Sequence, residues 1–310
     1  MIHVVRPTSL LFNKNLIIAT DRFHQVRYTH LYCKNIQQLN DYFALQNKYV
    51  EGATVTGYMS SNVPVNAVET TLQIAQALQE YDRIGVTELA SELGIPQSTV
   101  FNHLKTLEKN EFVVSENGIY RLGCRFLKMG AKARSHYNVH DVARQEINRL
   151  AESTGEISAL LIEEHGQGVF LHRSEGRQAV HIDSYTGQRI HLHGAALGKA
   201  ILATLPRAKV VEIIDQRGLP TLTENTITDR EVLFQELNKI AAEGIAYDDE
   251  ERLNGLRSVA APITGDSGSS FAAISIAGPT SRIQDDRFQR ELPSKLSEVA
   301  KVIELDMTYS

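Results

Sequence analysis

Between Val86 and Leu122 the chain carries a series of turn signals that few folds can accommodate. Leu89, Ala90 and Leu93 fall on one side of a short helix that Thr87 can cap, and Gly94 supplies the left-handed residue that ends it. Pro96 opens a second helix where its missing N–H costs nothing, with Val100, Leu104 and Leu107 on the buried side. Residues 112–115 and 119–122 are then two short β-prone runs separated by Glu116, Asn117 and Gly118, and Asn-Gly between such runs marks a tight hairpin. Short helix, glycine turn, helix and hairpin together make a winged helix-turn-helix. A run over 67–78, with Val68, Leu72, Ala75 and Leu78 at helical spacing and Glu69 in its first turn, adds a helix in front.

A chain of 310 residues has room for a second domain. The basic segment 125–135 reads as a linker helix, and a longer helix over 139–153 ends at Thr154 and Gly155. Beyond it, 158–165 and 167–174 form a hairpin around Gly166, and 178–185 reads as another strand. Helices follow over 194–205, 208–215 and 229–242, then strands over 257–263 and 270–277 and a final helix over 285–307. The order is α+β, and it predicts an antiparallel sheet covered by helices on one face with a pocket on the other. The expected domains are a winged helix-turn-helix at 64–124, a linker helix at 125–137 and a sensor domain at 138–310.

Residues 1–58 show no sustained period and receive no fold. Met59 stands before a polar lead-in to the first convincing helix, as an authentic N-terminus does, so 1–58 read either as an untranslated extension or as a weakly structured tail. Peptides from that stretch in the native protein decide for the tail.

Charge constrains the function. The formal net charge is −5, and Pro64 to Arg125 holds five Lys/Arg against eight Asp/Glu, so phosphate neutralisation by bulk basicity is excluded. Any DNA binding must use a local patch and gain affinity from oligomerisation. Two cysteines in dissimilar segments, Cys33 and Cys124, suggest neither a disulfide framework nor a metal site. No apolar run long enough to span a bilayer and no secretory leader is present, so a soluble, cytoplasmic protein without a membrane partner is expected.

From about Val65 to the C-terminus the chain resembles the IclR-type transcriptional regulators, on the segments TELASELGIPQSTVFNHLKTLEKNEFV, HGAALGKAILATLP, GIAYDDEERLNGLRSVAAPI and FAAISIAGPTSRI. Gly244, Asp248, Glu251, Ser258, Val259 and Ala260 stand at the family's spacing, whereas Thr264 departs from the aromatic or His frequent at its place. The resemblance implies a winged helix-turn-helix joined by a linker helix to a GAF-like effector-binding domain. It further implies a homodimer or homotetramer on a double-stranded DNA operator, answering to a small-molecule effector, with no cofactor and no catalytic residue.

The helix after Pro96 is then the recognition helix: Gln97, Ser98, Thr99 and Asn102 can reach base edges or phosphates, flanked by His103 and Lys105. On the wing, Asn117 and Arg121 can touch the DNA backbone or minor groove. Relatives often carry a basic residue near Gln97 or Asn102, which is absent here. The effector site is implied at Ala179, Ile182, Ile190, Ala196, Leu197, Asp248, Leu256, Ser258, Ser275 and Ala277. An apolar wall, two hydroxyls, one carboxylate and the amides near Ala196 suit a small organic acid. Ala277 departs from a hydroxyl found in some relatives.

Other signals are weaker. His191 and His193 share a strand face, with His172 and His181 near in sequence, yet no HExxH or Cys/His spacing accompanies them, and solvent-facing or bonded histidines explain them better than a metal. The acids Asp248, Asp249, Glu250 and Glu251 can serve acid–base chemistry if two converge, but such runs usually face solvent. There is no GxSxG elbow, and neither Gly265 to Gly268 nor the segment around Lys199 completes a phosphate loop. The poor basicity keeps one alternative open: a ligand-binding sensor that acts through protein partners without specific DNA binding.

Overall fold

The computed structural model describes residues 9–13, 16–20, 63–182, 184–265 and 270–309. Met59 and Gly268, on which two sequence expectations rest, lie outside them. The chain divides into two compact units, Met1–Thr71 and Leu72–Ser310. In the first, β1 (Ser9–Asn13) pairs antiparallel with β2 (Leu16–Thr20), Asn13 opposite Leu16. This hairpin lies within 1–58, the stretch that sequence period leaves unassigned. Its strands, SLLFN and LIIAT, are nearly continuous apolar runs, which a test for alternation passes over.

Helix α1 (Asn66–Glu80) crosses the unit boundary. Its buried side is Ile74, Ala77 and Leu78, while Val68 and Leu72 of the expected apolar row stay exposed. The strand β3 (Ile84–Gly85) holds the chain extended up to the start of α2 (Val86–Leu93), so Gly85 is the N-cap. Thr87 therefore does not cap; it lies inside the first turn, where its Oγ1 accepts a hydrogen bond from Gln97 Nε2 (2.8 Å). Gly94 takes φ +64° and Ile95 N–H reaches back to Ala90 O (3.1 Å), which ends α2 and turns the chain into α3 (Gln97–Lys109). Strands β4 (Val113–Glu116) and β5 (Ile119–Leu122) flank Asn117 (φ +53°) and Gly118 (φ +79°). Two consecutive left-handed residues are what a two-residue hairpin matched to the strand twist requires. Leu89, Val100, Leu104, Leu107, Val113 and Tyr120 close one small core with α1. Helix α4 (Arg125–Arg134) follows and buries none of its residues.

After α5 (Asn138–Thr154), ended by Gly155 at φ +77°, come β6 (Ile157–Glu164), β7 (Gln167–Glu175) and β8 (Arg189–Ile190). Next are α6 (Ala196–Leu202), α7 (Arg207–Arg217) and α8 (Arg230–Glu243), the last capped by the Asp229 carboxylate on the amides of Glu231 and Val232. The chain closes with β9 (Ala246–Asp249), β10 (Leu256–Thr264), β11 (Ser270–Pro279) and α9 (Leu292–Thr308). Among the described residues these strands form one six-stranded antiparallel sheet in the order β8-β7-β6-β11-β10-β9.

Three expectations change here. First, the sheet is covered on both faces, not one. Leu160, Ile162, Val259, Ile263, Ile274 and Ile276 pack under α5 and α9, and Ala159, Leu161, Ala260 and Ala273 pack under α6, α7 and α8. Strands apolar on both sides demand this. Second, the described residues of 178–185 form no strand: Gln178 N–H bonds to Gly155 O and Ala179 N–H to Gly176 O, and the pairing with β7 falls to Arg189–Ile190. Third, the final helix starts with a π-helical turn, Arg287–Glu291, because Pro293 has no N–H to continue the regular ladder backwards.

The two sheet faces differ in side-chain size. Under α5 and α9 the residues of β6, β10 and β11 are mostly Leu, Ile and Val; on the α6 face they are mostly Ala and Ser. Small residues leave space, and the cavity described next lies on that face.

Candidate functional site

On α3, Gln97, Ser98, Asn102 and Lys105 are exposed, with Thr99 and His103 half-buried beside them. Residues three and four apart share a helix face, so Ser98, Asn102 and Lys105 form one row. Several of these side chains are already engaged: Gln97 ties α3 to α2 through Thr87, and Lys105 Nζ contacts Glu108 Oε2 at 2.6 Å. Asn117 stands exposed at the wing tip, and Arg121 on β5 reaches Glu116 Oε1 (3.3 Å), whose other oxygen accepts from Arg83 (2.7 Å). The surface thus has exposed polar side chains and paired charges, with the exposed Phe101 in the middle of the helix. Phe101 and Arg83 were not anticipated; Phe101 lies four residues before Lys105, whose ammonium stands 5.8 Å from its ring centroid.

The sensor cavity opens between the Ala-and-Ser face of the sheet and α6. It measures about 30 Å³, room for roughly two waters. Its apolar wall includes Ile182, Ile190, Leu197 and Leu256, and Asp248, Ser258, Ser275 and Ala277 stand on the strands. Two expected residues lie elsewhere. Ala179 belongs to the turn bonded to Gly176, and Ala196 is sunk in the core while its neighbours Ala195 and Leu197 face the cavity. One residue along a helix is a 100° rotation, enough to take Ala196 off the wall.

Asp248 is buried. Its Oδ1 accepts from the N–H groups of Glu251 (2.8 Å) and Arg252 (3.3 Å), and its Oδ2 from the Ser258 hydroxyl (3.2 Å). Burial raises its carboxyl above the usual range, outweighing those donors and nearby Lys199. Lys199 of α6 is fully buried, with Nζ 2.6 Å from Glu251 Oε1 and 3.6 Å from Glu236 Oε1. Burial pushes Glu251 up to about 7 even against this ammonium. The acidic loop is held in place by Thr223, donating to Glu250 O, and Thr226, donating to Glu251 O, each at 2.6 Å. Of the four consecutive acids, Asp248 and Glu251 therefore point inward, and Asp249 pairs outside with Arg257.

A sequence profile for the C-terminal domain of the bacterial transcriptional regulator IclR matches residues 131–305, and one for the IclR helix-turn-helix domain matches residues 67–116. The chain belongs to the IclR family. Among its relatives, the probable HTH-type transcriptional regulator ArcR of Halobacterium salinarum is 30% identical over 78% of this chain and 93% of that protein. The HTH-type transcriptional regulator KdgR of Escherichia coli is 31% identical over 79% of this chain and 94% of its own length. The crystal structure of Thermotoga maritima IclR superposes with a TM-score of 0.67 at 28% identity, covering 78% of this chain and 98% of that one. This IclR-family chain is a DNA-binding transcriptional regulator with an effector-binding domain.

In this regulator the cavity also takes in residues that sequence reasoning missed: Ile157, Ala159, Phe170, Arg173, Ser184, Ala195 and Arg252. The two arginines matter most. Arg252 lies over the Phe170 ring, 5.4 Å from its centroid. His193 Nε2 contacts Pro220 O (3.0 Å), His172 contacts Asn148, and burial lowers the pKa of His172, His191 and His193. Among the described residues no group of three or more His, Cys, Asp or Glu is placed to hold a metal, and no helix is long and apolar enough to cross a membrane.

Proposed function

We propose that this regulator is a cytoplasmic, non-catalytic switch which binds a pseudo-palindromic operator as a homodimer or homotetramer, and whose operator affinity shifts when a small organic acid enters the sensor cavity. Its winged helix-turn-helix lies at 64–124, its linker helix at 125–137 and its sensor domain at 138–310. The observation that carries this reading is the cavity, where Asp248, Ser258 and Ser275 stand at the sheet wall and Ile182, Ile190, Leu197 and Leu256 form an apolar surround. Ser98, Asn102 and Lys105 are the side chains assigned to the groove, with Gln97 fixing the helix start, Thr99 and His103 at its flank, and Asn117 and Arg121 on the backbone.

Self-association is supported by α4, which buries nothing and leaves Leu127 73% exposed and Met129 57% exposed. Exposed apolar side chains on a helix that buries none of its residues are open to a partner surface, and a second copy also supplies the second recognition helix that a weakly charged domain needs. Gel mobility shifts on the DNA upstream of its own gene, run across a salt series, test the reading. Sequence-dependent retention that weakens as salt rises is expected. Retention that is the same on any DNA sequence contradicts it.

A further inference from the structure

We propose that Arg173 selects the effector's charge: it clamps the carboxylate of a short-chain hydroxy acid, whose hydroxyl faces Asp248, Ser258 and Ser275 across the cavity. This rests on the cavity being the effector site.

Arg173 lines the cavity from β7, opposite Ala159 in the strand register, and the methyl of Ala159 leaves the guanidinium open space. Its side chain is only 11% exposed. Nη1 donates to Glu175, whose own side chain is 46% exposed and shared with water. Nε and Nη2 are sealed from solvent and have no hydrogen-bond partner. These two nitrogens share an edge of the guanidinium from which two parallel N–H bonds project, a geometry that a carboxylate accepts with both oxygens.

Leaving two donors of a buried cation unsatisfied is costly, and a protein has cheaper ways to fill a strand position. A bound carboxylate removes that cost. The surroundings favour an anion: Arg252 lines the same cavity, and the Asp248 carboxyl is already engaged by the N–H groups of Glu251 and Arg252 and by the Ser258 hydroxyl. The hydroxyls of Ser258 and Ser275 give the other end of the ligand polar partners. With about 30 Å³ available, a short chain fits this space better than a ring or a long one.

Calorimetric titration of the full chain with glycolate, lactate, glycerate and malate, each against its amide, tests the assignment. The unsubstituted chain should bind at least one acid on the order of a hundredfold more tightly than its amide. Arg173→Gln should erase that preference without lowering the melting temperature, and Arg173→Lys should retain part of it. No preference in the unsubstituted chain, including no acid bound at about 10 mM, overturns the proposal. Two wall variants, Ser275→Leu and Ser258→Val, separate it from the reading beneath it. If they abolish binding while Arg173→Gln keeps the acid preference, Arg173 is not the clamp. If they leave every titration unchanged, the acid binds outside the cavity and both readings fall.

Discussion

The helix-turn-helix and the sensor region use polar side chains in opposite ways. On α3 they are outside: Ser98, Asn102 and Lys105 are exposed, and the fold beneath rests on Leu89, Val100, Leu104 and Leu107. In the sensor they are inside: Lys199, Glu251, Asp248, Ser258 and Ser275 are buried among strands and α6. The first arrangement allows a side chain to change DNA affinity with little effect on folding. The second links ligand recognition to stability, because a buried charge that loses its partner destabilises the fold.

Lys199→Ala gives the largest test of this contrast. It removes the ammonium shared by Glu251 and Glu236 and should cost about 3 to 5 kcal/mol in urea unfolding. A loss below about 1 kcal/mol would make the buried pair irrelevant to the sensor's fold. Gly198→Ala comes next, since its Cβ would lie 2.1 Å from Leu192 O and 2.4 Å from Leu192 Cα. Backbone cannot swing aside as a side chain does, so about 2 to 3 kcal/mol should be lost, with effector response falling alongside.

Asn102→Ala sharpens the other half of the contrast. Stability should stay within about 0.5 kcal/mol, while specific operator binding weakens by about 1 to 3 kcal/mol if the amide reads a base. Equal loss on specific and non-specific DNA would assign Asn102 to the backbone instead.

The smallest effect is pH dependence. Burial, reinforced by His140, Arg134 and Arg144, lowers the His172 pKa to about 4 from 6.5. The neutral imidazole is thus favoured in the fold; its contribution is fully present above pH 6.5 and is lost as pH falls through 4. His172→Gln should flatten the melting temperature across that window. An unchanged slope would place the acid sensitivity in other groups.

The contrast also explains what could be read from sequence. The winged helix-turn-helix is coded locally: Gly94, Pro96 and the Asn117-Gly118 turn each dictate a conformation within a few residues. Even there Thr87 misled, because the short strand at Ile84–Gly85, fixed by pairing with Tyr120 and Ile119, decides where α2 begins. In the sensor, Lys199 meets Glu251 across 52 residues, and nothing local announces it. Arg173 was hidden by a bulge. The register shifts between Leu160 and Leu161, so Leu171 turns to the α5 face while Phe170 and Arg173, three apart, both reach the cavity. Strict alternation from Phe170 sends Arg173 to the wrong side. The eight expected positions on the cavity wall follow from the family resemblance, whereas the two arginines are brought there by the tertiary fold.

The central claim is that cavity and recognition helix belong to one switch, and linkage tests it most directly. Operator affinity is measured by fluorescence anisotropy with and without a bound carboxylate, and carboxylate affinity with and without operator. The account predicts that each ligand changes the other's affinity by the same factor, on the order of five- to a hundredfold. Operator binding that stays flat through saturation of the cavity would contradict it.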